Sequence, residues 1–145
     1  MIRLLAPLSF LVLVAAEPAA DAKKELDKLQ GEWEMSALEI DGKQVPEEKI
    51  KDTTLRIKGD RYIVSTNKSK YEVTIKVDPA QKPKHMEMEF PNGTCLPKVG
   101  KAIYKLDGDK LIIVRAQSTD GDRPREFGTW PDTGVFQVTW KRKGK

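Results

Sequence analysis

His85, Glu87 and Glu89 are the one place in this sequence where a histidine and two carboxylates recur at every second residue. A β-strand would set all three on one face, and all three side-chain types can hold a metal ion. The intervening residues, Met86, Met88 and Phe90, are apolar. They claim the buried face and leave the His/Glu row to solvent. One outward row on one strand does not enclose an ion, so no metal or other cofactor is expected. Nucleophilic chemistry has little more to offer. Cys95 is the only cysteine and His85 the only histidine. His85 opens a strand and Cys95 lies beyond its end; the stretch from His85 to Phe90 already spans about 17 Å at roughly 3.4 Å per residue. Gly-x-Ser-x-Gly, a phosphate-cradling glycine loop, His-Glu-x-x-His and paired cysteines are all missing from the sequence. The chain is therefore not expected to be an enzyme, and no catalytic residue is assigned.

The other polar motifs read as loop chemistry. Asp107-Gly108-Asp109 is a hairpin turn, and neither it nor Asp120-Gly121-Asp122 fits a calcium-binding EF-hand loop. Asn67-Lys68-Ser69 and Asn92-Gly93-Thr94 match the glycosylation sequon but fall where turns are expected anyway. Arg123-Pro124-Arg125-Glu126-Phe127 has two readings. Its arginines could hold an anion near a barrel mouth; alternatively, Phe127 plugs one barrel end while Glu126 pairs with an arginine. The plug is the favoured reading.

The elements that carry these residues begin after a leader. Arg3, the apolar run Leu4 to Val14 and the small residues Ala15 and Ala16 form a secretory signal peptide over residues 1–16. The run is shorter than the roughly 20 apolar residues a membrane span needs, so no span is expected after signal removal. Export to the periplasm or the extracellular space follows. Removing 16 of 145 residues leaves 129, enough for one domain with its own core. The formal charge falls from +4 to +3 as Arg3 departs, with both signs interleaved along the chain. Only the tail Lys141-Arg142-Lys143-Gly144-Lys145 is a one-sign cluster, which reads as a solvated end, and nucleic acid is not an expected partner. With a single cysteine no internal disulfide can form, so packing and sheet hydrogen bonds must supply the stability; Cys95 itself has no assigned role.

Residues 17–21 read as a linker, and 22–145 as the domain. Asp21 can cap a short helix running to about Gln30, with Leu26 and Leu29 on one face and Gly31 at its C-terminal end. Period-two patterning then takes over. Trp33 and Met35 begin the first strand; Leu38 and Ile40 fall on the opposite parity, which marks a bulge or bend. One helical turn follows Pro46. Further strands centre on Leu55 and Ile57; Tyr62 and Val64; Tyr71 to Val77; Met86 to Phe90; Ala102 to Leu106; Leu111 to Ala116; and Phe136 to Trp140. A long connection, Gln117 to Thr133, precedes the last. Eight short strands with short successive turns predict an all-β, antiparallel, up-and-down barrel with a short N-terminal helix. The first and eighth strands should pair and close it. Arg142 shares the parity of Phe136, Val138 and Trp140, so its guanidinium can lie over the Trp33 indole at the closing seam; fraying with the lysine tail is the competing reading.

Leu29-Gln30-Gly31-Glu32-Trp33 at one end and the arginine after the last strand at the other resemble the lipocalin and wider calycin pattern. Asp41-Gly42-Lys43 with Val45-Pro46, Asp78-Pro79, Lys82-Pro83-Lys84, Ile103 to Asp109 and Arg123 to Phe127, taken in order, resemble more closely the planctomycetal lipocalin-like domain family of unknown function. That resemblance implies an exported lipocalin-like barrel and supplies no catalytic residues. Two functions are compatible with it. One is a module that binds a small apolar or amphipathic ligand, with Trp33, Met35, Tyr62, Tyr71, Met86, Met88, Tyr104 and Trp140 as the binding residues and tyrosine hydroxyls at the rim. The other is a structural or protein-interaction domain whose barrel is filled by its own side chains. A small apolar ligand and a protein are thus the two kinds of partner expected.

Overall fold

The computed structural model describes residues 18–91, 99–118 and 121–144. Residues 1–16, expected to be a signal peptide, together with Cys95, the second sequon and Asp120, lie outside the described residues. An eight-stranded antiparallel barrel forms from β1 (Gly31–Ile40), β3 (Thr54–Lys58), β4 (Arg61–Ser65), β5 (Lys70–Asp78), β6 (Lys84–Glu89), β7 (Val99–Asp107), β8 (Lys110–Ala116) and β9 (Val135–Arg142). The two-residue β2 (Lys43–Gln44) folds back on the end of β1, and the single turn α2 (Glu47–Ile50) follows Pro46. Each barrel strand pairs with its neighbour in sequence, and β1 pairs with β9, so the sheet has no free long edge.

Closure at that seam joins Trp33 to Arg142 and Met35 to Trp140. The register then slips by one residue between Met35 and Ala37. This bulge explains the parity switch in the sequence: past Ser36, Leu38 and Ile40 oppose Val138 and Phe136 and face inward with them.

Helix α1 (Pro18–Lys28) covers one end of the barrel. It starts earlier than the expected linker at 17–21 allows. Pro18 takes the first helical position, where its missing N–H costs nothing, so Asp21 lies inside the first turn and is not its cap. Ala22, Leu26 and Leu29 form a stripe at helical spacing against the core. Leu29, Trp33, Met86, Tyr104 and Leu111 are completely buried beneath it. Gly31 leaves the helix with φ +122°, and a Cβ there would come within 3.3 Å of the Arg142 guanidinium. Glycine meets both the backbone and the space requirement.

From Arg123 to Thr129 the connection that precedes β9 runs along the outside of the wall, which corrects the expectation of a Phe127 plug. Arg123 donates from Nη1 to the carbonyls of Ala102 (2.5 Å) and Met86 (3.1 Å). Phe127 stacks under the Lys105 ammonium at 4.4 Å. Gly128 N–H donates to Gln137 Oε1 at 2.7 Å, and Thr129 binds Glu39 and Gly42. Glu126 takes part in none of the ion pairs found among the described residues. The reason is geometric: Phe127 packs against Lys105, which shares the outward parity of Ile103 on β7. The outer face of β7 and β8 also needs cover, because Ile103 and Val114 oppose one another there, point away from the barrel interior, and are nonetheless fully buried.

Candidate functional site

The barrel interior divides into two halves. At the helix end it is filled. Glu25, brought in by α1, is 4 % exposed; it accepts from Lys84 Nζ (2.5 Å), Tyr104 Oη (3.2 Å) and Lys28 Nζ (3.4 Å). Burial alone would raise its pKa, but the neighbouring lysines and the tyrosine hydroxyl hold the carboxyl below its ordinary value. The buried Tyr104 phenol is pushed up, by burial first and then by the Glu25 charge. At the seam, the Arg142 guanidinium lies 4.1 Å from the Trp33 ring centroid. It donates to the carbonyls of Gln30 (2.8 Å) and Lys28 (2.9 Å), both left open at the C-terminal end of α1. The Trp33 indole N–H donates to Leu29 O at 3.1 Å. Helix, first strand and last strand are thus tied at one point.

The opposite end holds a cavity of about 300 Å³. Tyr62 and Trp140 form its floor, both almost completely buried, their rings edge-to-face at 6.4 Å and 79°. The Trp140 indole N–H donates to Tyr62 Oη at 2.9 Å, so the buried indole donor is satisfied within the floor. Burial pushes the Tyr62 phenol well above its ordinary pKa and keeps it neutral. Met35, Val73, Met88, Ile113 and Val138 make the walls. Tyr71, 52 % exposed, stands at the mouth with Phe90 and Phe136. Arg115 and Gln117 complete the lining. The site is an apolar, open-ended cavity of the size at which small-ligand pockets begin.

Five of the eight residues expected to bind a ligand come together here: Met35, Tyr62, Tyr71, Met88 and Trp140. Trp33, Met86 and Tyr104 do not. They are sealed in the filled half, and the Tyr104 hydroxyl points to Glu25 rather than to a rim. Leu38, Ile40, Arg115 and Gln117 also line the cavity and are not among the eight expected binding residues. The signal for Arg115 was present in the sequence, since it follows Leu111 and Ile113 at the same parity, as Arg142 follows Trp140. The His/Glu row of β6 lies on the outer face, where Glu87 pairs with Arg123 and Glu89 with Lys76, each at 3.6 Å. Burial, and then the Arg123 charge, lowers the His85 pKa. Among the described residues no group of three or more His, Cys, Asp or Glu is placed to hold a metal ion, and no helix is long and apolar enough to cross a membrane. Compared with known proteins, the chain matches no family model, no curated protein and no solved structure.

Proposed function

We propose that the protein is an exported, lipocalin-like binding module, akin to the planctomycetal lipocalin-like domains, that takes a small apolar or amphipathic ligand into the open end of its barrel and performs no catalysis. One observation carries this reading. The same barrel that packs its helix end completely leaves about 300 Å³ unfilled at the other, behind a mouth set with exposed or half-buried aromatic rings. A self-filled structural barrel would have little reason to differ between its two ends. Two flexible methionines, Met35 and Met88, line the space and can adapt to varied apolar shapes. The competing reading, a domain that only supports or contacts another protein, finds its support in the filled half.

Titration with a neutral apolar fluorophore such as N-phenyl-1-naphthylamine tests the proposal. Saturable one-to-one binding is expected, with loss of binding in Met88→Trp, which fills the wall of the cavity while the far-ultraviolet circular dichroism stays native. No saturable binding by the unaltered protein would replace the binding module with the structural or interaction domain.

A further inference from the structure

The Tyr62 phenol has a hydrogen-bonding capacity that the fold does not use. Its side chain starts on β4 and meets Trp140 on β9, although β3 and β1 stand between those strands, so it reaches across the barrel interior. The hydroxyl therefore lies over the middle of the barrel, at the floor of the cavity, rather than in the wall. As an acceptor it takes the Trp140 indole N–H at 2.9 Å. As a donor it is unspent: no acceptor for the Tyr62 O–H is found among the described residues. A phenol has one hydrogen to give as well as lone pairs to offer, and a buried donor without an acceptor is costly. Tyr62 is only 3 % exposed, so bulk solvent does not relieve it. Burial also keeps the phenol protonated, so the hydrogen is always present. Tyr71 and Arg115, which line the same cavity, both act on the charge of this phenol, which places its hydroxyl within electrostatic reach of the mouth.

We propose that Tyr62 donates its phenol hydrogen to the ligand, and that the ligand is an uncharged apolar carbonyl compound, a ketone or an ester, which enters carbonyl end first. This inference rests on the binding-module reading above. A carbonyl oxygen accepts and has no hydrogen of its own to satisfy, so one bond to Tyr62 leaves neither partner wanting. An alcohol at the same place brings a second O–H to an oxygen that already accepts from the indole. A carboxylate carried to this floor would give up its water for a single neutral donor. A hydrocarbon fills the space and leaves the phenol hydrogen unpaired. Behind the carbonyl, the apolar skeleton lies along Met35, Met88 and Ile113, and its far end meets Tyr71 at the mouth. Trp140 is a positioning residue in this arrangement. Its N–H holds the phenol oxygen from one side and leaves the O–H to point elsewhere.

The test uses two ligands of one shape, methyl 2-naphthyl ketone and 2-ethylnaphthalene, which differ by a carbonyl in place of a methylene. In the unaltered chain labelled with ¹³C at tyrosine Cζ, the Tyr62 signal should move on saturation with the ketone well beyond its movement with the hydrocarbon. The Tyr104 signal, sealed in the filled half, should follow neither. Affinities are then measured by displacement of N-phenyl-1-naphthylamine. Between Trp140→Phe and the double variant Tyr62→Phe/Trp140→Phe only the hydroxyl is lost, and no indole N–H remains to stand in for it. Across that pair the ketone should bind at least about fivefold more weakly, the scale of one hydrogen bond, while the hydrocarbon moves by less than about twofold. Equal movement of the Tyr62 signal with both ligands, equal loss of both affinities, or binding of the hydrocarbon alone would overturn the hydrogen-bond assignment and leave the apolar cavity standing. Failure of both ligands to bind the unaltered chain would overturn the binding module, and the assignment with it. The labelled-tyrosine comparison needs no variant, so the proposal is decided even where the variants do not fold.

Discussion

Arg142 is two residues past Trp140 in a lysine-rich tail, yet replacing it with alanine should destabilise the whole barrel. Three interactions disappear together. The first is the bond from Nη1 to Gln30 O at 2.8 Å, which is partly buried; the second is the bond from Nη2 to Lys28 O at 2.9 Å, which is exposed. The third is the cation–π contact with Trp33 at 4.1 Å. Hydrogen bonds to a charged donor contribute about 1.5–3 kcal/mol when buried, and solvent screening reduces the exposed one to about 0.5 kcal/mol. The ring contact adds about 1 kcal/mol. The helix carbonyls regain water once the guanidinium is gone, so the sum is an upper bound, and about 2–4 kcal/mol is expected. For a domain of this size that corresponds to a fall in Tm of roughly 10 °C. Urea unfolding followed by Trp33 emission and by far-ultraviolet circular dichroism measures it. Arg142→Lys should lie between, because an ammonium keeps the charge but cannot reach both carbonyls and cover the indole at once. A loss below about 0.5 kcal/mol for Arg142→Ala, the range of ordinary surface changes, would refute the claim that this residue locks α1 to the β1–β9 seam.

Gly31→Ala should cost about 1–3 kcal/mol, since φ +122° strains any other residue and the new Cβ meets Arg142 at 3.3 Å; thermal unfolding checks it. Ile103→Ala should cost about 2–4 kcal/mol although Ile103 faces away from the interior, because it is fully buried, whereas Ile112→Ala on the same outer face, only half-buried, should cost less than about 1 kcal/mol. Acid should act through Glu25. Its folded pKa lies below its ordinary value, so its contribution is complete above the unfolded pKa of about 4.3 and is lost as pH falls through the lower folded value. Denaturation midpoints measured from pH 6 to pH 2 should fall less steeply for Glu25→Gln than for the unaltered chain, and parallel curves would contradict this assignment.

The strand pattern was legible because period two is a local property: Tyr71, Val73, Ile75 and Val77 announce their face without reference to anything distant. Closure was legible for a related reason, since Trp33 and Arg142 sit at matched parity at the two chain ends. The cavity was less so. Period two separates inside from outside but does not say how far along the barrel axis a residue stands. Met86 and Met88 are neighbours on one inward row, and only the register of β6 against β5 and β7 puts one in the packed half and the other in the cavity wall. Ile103 and Val114 are apolar on the outer face, and period two does not say that this part of the face is buried. The place of Phe127 was not legible, because its sequence neighbours show that it belongs to a long loop but not which side of the wall that loop follows.

Those methionines also supply the most direct test of a ligand-accessible cavity. With ¹³C-labelled methionine methyls, each of Met35, Met86 and Met88 gives its own signal. During titration with decanol, the Met35 and Met88 methyls should shift together and saturate, and Met86, completely buried beneath the helix, should stay in place. Three methyls that do not move, or that all drift alike without saturating, would contradict the account.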